Sequence, residues 1–134
     1  MRYVFGLAAL VLGLGIAGSA QDDAAYQEWM KTTSATVASL RKNLDAKTTD
    51  AAATDARKLS EVFAQVRGYW EKKNVSDAAK FAADAESGFN EAAELASAGK
   101  FDEASEAVKK AQANCAGCHG AHREKAADGS WKMK

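Results

Sequence analysis

The stretch ARKLSEVFAQVRGYW, residues 56–70, decides the fold. Ala56, Leu59, Val62, Phe63, Val66 and Trp70 recur at steps of three and four, which gathers them on one stripe of an α-helix. Three further stretches repeat the pattern. Before it, Tyr26, Met30, Thr33, Val37, Leu40 and Leu44 mark one face for about five turns, with Asp22 or Asp23 suited to cap the start. After it come Ala78, Phe81, Ala85, Phe89, Ala92 and Leu95 or Ala96, and then Phe101, Ala104, Val108, Ala111, Cys115, Cys118 and His122. The breaks fall at Lys47-Thr48-Thr49-Asp50, at Asn74-Val75-Ser76-Asp77 and at Gly99, a residue common just past a helix end. The fourth helix is expected to run to about Lys125. Asp128-Gly129 marks its end, and a mostly polar tail carrying Trp131 and Met133 completes the chain.

Four amphipathic segments with short connections predict an all-α fold, an antiparallel up-down-up-down four-helix bundle. The composition agrees. The chain has 134 residues, enough for one domain, with no proline, and only 8% of its residues are aromatic. An all-β sandwich or barrel needs more turn punctuation than this. Eighteen basic side chains against 18 acidic ones give a formal charge of zero, which offers no basic face for nucleic acid. The predicted core faces are thin and rich in alanine. A large apolar group filling the interior would complete them.

The first residues read as a separate element. Arg2 precedes an uncharged run of about fifteen residues to Ala17, short of the roughly twenty that a membrane span needs. Gly18-Ser19-Ala20 and then Asp22-Asp23 come next. This is the layout of a secretory signal peptide, so residues 1–20 are expected to be cleaved after Ala20. The domain is then residues 21–134, exported most simply to a bacterial periplasm, with no permanent membrane span. Losing Arg2 leaves an excess of one acid.

The chemistry lies in Cys115-Ala116-Gly117-Cys118-His119. Cys-x-x-Cys-His is the attachment signature of c-type haem. Two thiols three residues apart on one helical turn can each add across one vinyl group of the haem edge. The next imidazole then meets the iron through a neutral ring nitrogen, and Ala116 and Gly117 leave room for the macrocycle. Other chemistries fit less well. A redox dithiol belongs in a βαβ setting, which this sequence does not display. A zinc site lacks a second cysteine pair and has only His122 besides His119. A structural disulfide would close a loop too short to stabilise much.

With that motif near the C-terminal end of a four-helix chain, the sequence resembles the cytochrome c′ and cytochrome c-556 family. The likeness covers the whole exported chain in architecture, and its specific motif is residues 115–123. It implies one covalent haem c on Cys115 and Cys118, with His119 as the proximal ligand. Arg123 matches a basic position that the family places beside the proximal histidine and the haem, which implies a propionate contact. His122 stands where the family often has an aromatic residue. It lies three residues from His119 on the same helix and so cannot reach the opposite haem face. Family members commonly dimerise through their first two helices, so a homodimer is one expectation of the resemblance.

The distal face divides the family. Members with a methionine from the first helix are six-coordinate and transfer electrons. Those with an apolar residue there are five-coordinate and bind gases such as nitric oxide. Met30 matches the family's distal methionine position. Counted from the expected helix ends at about 1.5 Å per residue, Met30 and His119 both lie about 10 Å in from the same end of the bundle. Met30 is also the one methionine expected in the folded core, because Met1 leaves with the signal and Met133 is in the tail. The expectation is a low-spin, His/Met, electron-carrying periplasmic cytochrome serving redox partner proteins. If Met30 only packs beside the iron, the site stays open and gas binding is the better reading. Tyr26, Trp29, Phe63, Phe81 and Phe89 are the expected pocket walls. No acid/base constellation points to an enzyme.

Overall fold

The computed structural model describes residues 17–134. The expected export signal lies outside them except for Ala17–Ala20, with which the first helix begins. Four helices run in order: α1 (Ala17–Asp45), α2 (Thr49–Lys72), α3 (Ser76–Ser97) and α4 (Phe101–His122). A two-stranded antiparallel hairpin, β1 (Arg123–Lys125) and β2 (Trp131–Met133), completes the chain. Among the described residues no helix is long and apolar enough to cross a membrane.

The three interhelical turns share one chemistry. Lys47, Asn74 and Gly99 each take a positive φ, of 55°, 58° and 72°. In each turn the next residue's N–H reaches back five residues: Thr48 to Asn43, Val75 to Trp70, and Lys100 to Leu95, at 2.9–3.1 Å. These are Schellman endings, which satisfy carbonyls that the stopped helix orphans. Gly99 adopts its left-handed conformation without steric penalty, whereas Lys47 does so only because the turn imposes it. Thr48 is the N-cap of α2 by position, but its side chain makes no cap bond.

Two expected boundaries are corrected. Asp22 and Asp23 do not cap α1, because they lie inside it. Asp23 instead accepts a 2.6 Å hydrogen bond from the Tyr69 hydroxyl of α2 and lies 3.6 Å from the Lys73 ammonium. The fourth helix stops at His122 rather than near Lys125, and the remaining residues fold back as a hairpin instead of trailing as a tail. Asp128-Gly129 forms the hairpin's turn. Gly129 has φ 81°, and the Asp128 carboxylate accepts from the Ser130 N–H and hydroxyl at 2.9 and 2.6 Å.

The core matches the expected stripes, led by α2, in which all six stripe residues are buried. Phe63 of α2 stacks on Phe89 of α3 with ring centroids 5.5 Å apart. Gly88 of α3 brings that helix so close to α4 that a Cβ there would stand 2.9 Å from the Ala111 Cβ. Tyr26 of α1 meets Tyr69 and Trp70 of α2 at 4.6 and 5.8 Å, and the Trp70 indole N–H donates to the Tyr26 hydroxyl at 3.3 Å. By contrast, α1 touches α4 sparingly. That gap positions the site.

Candidate cofactor site

The last turns of α4 carry the Cys-x-x-Cys-His motif. Helical spacing puts Cys115, Cys118 and His119 on one side of α4, and all three line a single cavity of about 680 Å³ between α1 and α4. Across it, α1 contributes Tyr26, Met30, Thr33 and Val37. The floor is Phe63, Val66 and Trp70 of α2 with Phe81 and Ala82 of α3. A pocket of this size, mostly apolar with a few polar groups, is what a drug-sized or larger ligand requires. At its rim the Arg41 guanidinium of α1 donates to the Gln112 side-chain oxygen of α4 at 2.7 Å. This strap spans the two helices where their backbones stand apart.

The two thiols are free. Burial, and then the neighbouring Cys118, pushes the Cys115 thiol up to about 11. Burial and the Asp77 carboxylate push Cys118 up as well. Both are protonated at neutral pH, the opposite of the activated thiolate that a redox dithiol needs. The Cys115 thiol lies 3.7 Å from the Ala111 carbonyl, a weak bond back along its own helix. Burial, with the Arg123 charge nearby, pulls the His119 imidazole below its ordinary value. It is therefore neutral at pH 7, the form that ligates a metal.

Two polar atoms on the cavity-lining residues are buried without a hydrogen-bond partner, Thr33 Oγ1 and Arg123 Nε. Thr33 in mid-helix would ordinarily return its hydroxyl to a carbonyl one turn back. Both atoms are groups that an occupant of the cavity could satisfy. The donor set fits the group expected from the sequence: two protonated thiols, a neutral imidazole, a thioether across the gap, an apolar lining, and an unpaired cationic N–H for a carboxylate.

The structure brings Cys115, Cys118, His119, Met30 and Arg123 to one cavity. Met30 lies four residues inward from Tyr26 on α1 and His119 three inward from His122 on α4. Tyr26 and His122 both meet the Trp70 ring, at 5.8 and 5.3 Å, so Met30 and His119 stand about one turn below one shared level. Met30 is not the sole methionine of the folded part, since Met133 of β2 packs against the core and lines the same cavity. Of the five expected walls, Tyr26, Phe63 and Phe81 line the cavity. Trp29 instead packs edge-on against Tyr26 at 6.2 Å, and Phe89 is fully buried behind Phe63. Gly117 makes room, but for a side chain, since a Cβ there would stand 2.7 Å from the Phe81 ring. His122 bonds the Asp77 carboxylate at 2.8 Å and lies 5.3 Å from the Trp70 ring, so it ties the end of α4 to the start of α3. That bond holds the Asp77 carboxyl below the usual carboxylate range.

Trp70, Val66, Arg41 and the hairpin's Trp131 and Met133 also belong to the cavity or its rim, and sequence reasoning does not assign them there. Trp70 and Val66 stand on the α2 stripe and give a usable signal. The others depend on tertiary placement. Among the described residues no three or more His, Cys, Asp or Glu side chains gather into a metal cage. No family model, curated protein or solved structure matches the chain.

Proposed function

We propose that this chain is a monohaem c-type cytochrome that carries electrons after export to a periplasm, similar in plan to the cytochrome c′ and c-556 family. Cys115 and Cys118 would hold the haem through thioether bonds. His119 would be the proximal ligand, and Met30 the distal one. The observation that carries this reading is the convergence of both thiols, the neutral His119 imidazole and Met30 on one apolar cavity that α1 and α4 leave between them.

When bound, the haem supplies one-electron chemistry at its iron, and the protein supplies attachment, ligands and a dry pocket. Phe63, Val66, Trp70 and Phe81, which line the cavity, would keep water from the bound group. Arg123 offers a cation to a propionate. As an iron ligand the Met30 thioether would favour the reduced state and raise the potential.

Optical spectra of the oxidised and reduced protein, and of Met30→Ala, test the assignment. Met ligation gives a weak long-wavelength sulfur-to-iron band in the oxidised protein that Met30→Ala abolishes. A high-spin spectrum with ready carbon monoxide uptake in the unaltered protein would instead mean an open iron and a gas-binding role.

A further inference from the structure

The hairpin beyond α4 is a wall of the cavity that helical periodicity does not announce. Two short strands with no third partner are marginal in water, so this hairpin owes its order to what it packs on. The Lys134 N–H donates to the His122 carbonyl at 3.0 Å, which seats the hairpin on the end of α4. In the antiparallel register Arg123 lies opposite Met133 and Lys125 opposite Trp131, so all four side chains share one face. On that face the Arg123 guanidinium sits 3.9 Å from the centre of the Trp131 ring, while Trp131 itself remains 46% exposed.

The Trp131 ring carries two cations, the Lys125 ammonium at 5.2 Å from its centre and, closer, the Arg123 guanidinium. Stacking uses the flat face of the guanidinium and leaves its N–H edge free. On that edge Nε is buried and has no acceptor. A charged donor out of water without a partner is costly, and the acceptor that a planar guanidinium edge matches best is a carboxylate.

We propose that Trp131 is a positioning residue of the cofactor site: it holds the Arg123 guanidinium so that its buried edge meets a carboxylate of the bound group, while Met133 closes the apolar wall beside it. The inference rests on the haem reading for the identity of that carboxylate, a haem propionate. Without Trp131, Arg123 is free to swing into water. The hairpin is therefore part of the site and not a trailing end.

A cycle of variants on the full haem-loaded chain, read by midpoint reduction potential, tests this. A cation near the iron favours the reduced state by Coulomb's law, so Arg123→Gln lowers the potential. Trp131→Ala is expected to lower it by a smaller amount, and Trp131→Phe to restore most of the loss. In the Arg123→Gln background Trp131→Ala is expected to change nothing further. No shift on Trp131→Ala, or the same shift in both backgrounds, overturns the proposal while leaving the haem reading intact. A chain isolated with no haem overturns both. Thermal melting of each variant distinguishes a moved guanidinium from a lost fold.

Discussion

The seam between α2 and α3 and the gap between α1 and α4 are built from the same alanine-rich helices and end differently. At the α2–α3 seam Phe63 and Phe89 stack with ring centroids 5.5 Å apart. The space between α1 and α4 is instead faced by Met30, Thr33, Cys115, His119 and Arg123, and it stays open as the cavity. The first arrangement stabilises the fold through burial and close packing. The second gives up that stabilisation and leaves Thr33 Oγ1 and Arg123 Nε without partners. Sites are commonly the places where a chain departs from local packing rules. Among the described residues both unpartnered atoms belong to residues lining this one gap.

The contrast is most open to attack at Phe89, fully buried in the closed seam. Phe89→Ala is expected to destabilise the protein by about 3–5 kcal/mol. Phe81→Ala, on a partly exposed residue at the cavity edge, is expected to cost much less in the cofactor-free protein. Denaturant melts of the two variants check this, and equal losses would erase the distinction.

The glycines draw the same line more finely. A Cβ at Gly88 meets the Ala111 Cβ and backbone, which cannot move aside, whereas one at Gly117 meets a Phe81 ring with a cavity beside it. Gly88→Ala is expected to cost about 1–3 kcal/mol as overpacking, and Gly117→Ala less, with the Phe81 ring shifting into the open space. The same melts rank the pair.

Alkali should also weaken the open side. Cys115 is raised from 9.0 to about 11 and Tyr26 from 10.0 to about 12, in both cases chiefly by burial. The unfolded chain releases these protons first, so their contribution is fully present below about pH 9 and is lost as pH rises through 11 and 12. Stability of the cofactor-free protein should therefore fall between about pH 9 and 12. Cys115→Ala should flatten the lower part of that slope, which melts across the pH range would reveal.

Thr33→Val gives the smallest effect. Removing a hydroxyl with no partner should leave the cofactor-free protein unchanged or more stable by up to about 1 kcal/mol. A clear loss would mean that the hydroxyl is bonded after all.

Much of this is legible in the sequence. Gly99 and the Asn74 break mark the turns, and all six stripe residues of α2 are buried, because a helix buried along one face shows its period plainly, although Ala52, Ala53 and Tyr69 are buried beside them. Cys115, Cys118 and His119 are legible because three side chains on one turn need no tertiary information to meet. The start of α1 misleads because Asp22 and Asp23 resemble caps. In the structure Asp23 answers Tyr69 and Lys73, which are distant in sequence. The hairpin escapes notice because strands of three residues are too short to show alternation. Asp128-Gly129 is a hairpin turn signal, yet after a long helical pattern it reads equally well as a stop. Met133 is hidden with the hairpin, so Met30 falsely stands alone as the methionine of the folded part.

The proposed function stands or falls on whether Cys115 and Cys118 are two ends of one attachment. Intact mass measurement of the exported protein after acid-acetone extraction decides it. The expected mass is that of residues 21–134 plus one haem, retained through denaturation and lost in a Cys115→Ala/Cys118→Ala chain. A bare polypeptide mass with two alkylatable thiols would refute the attachment.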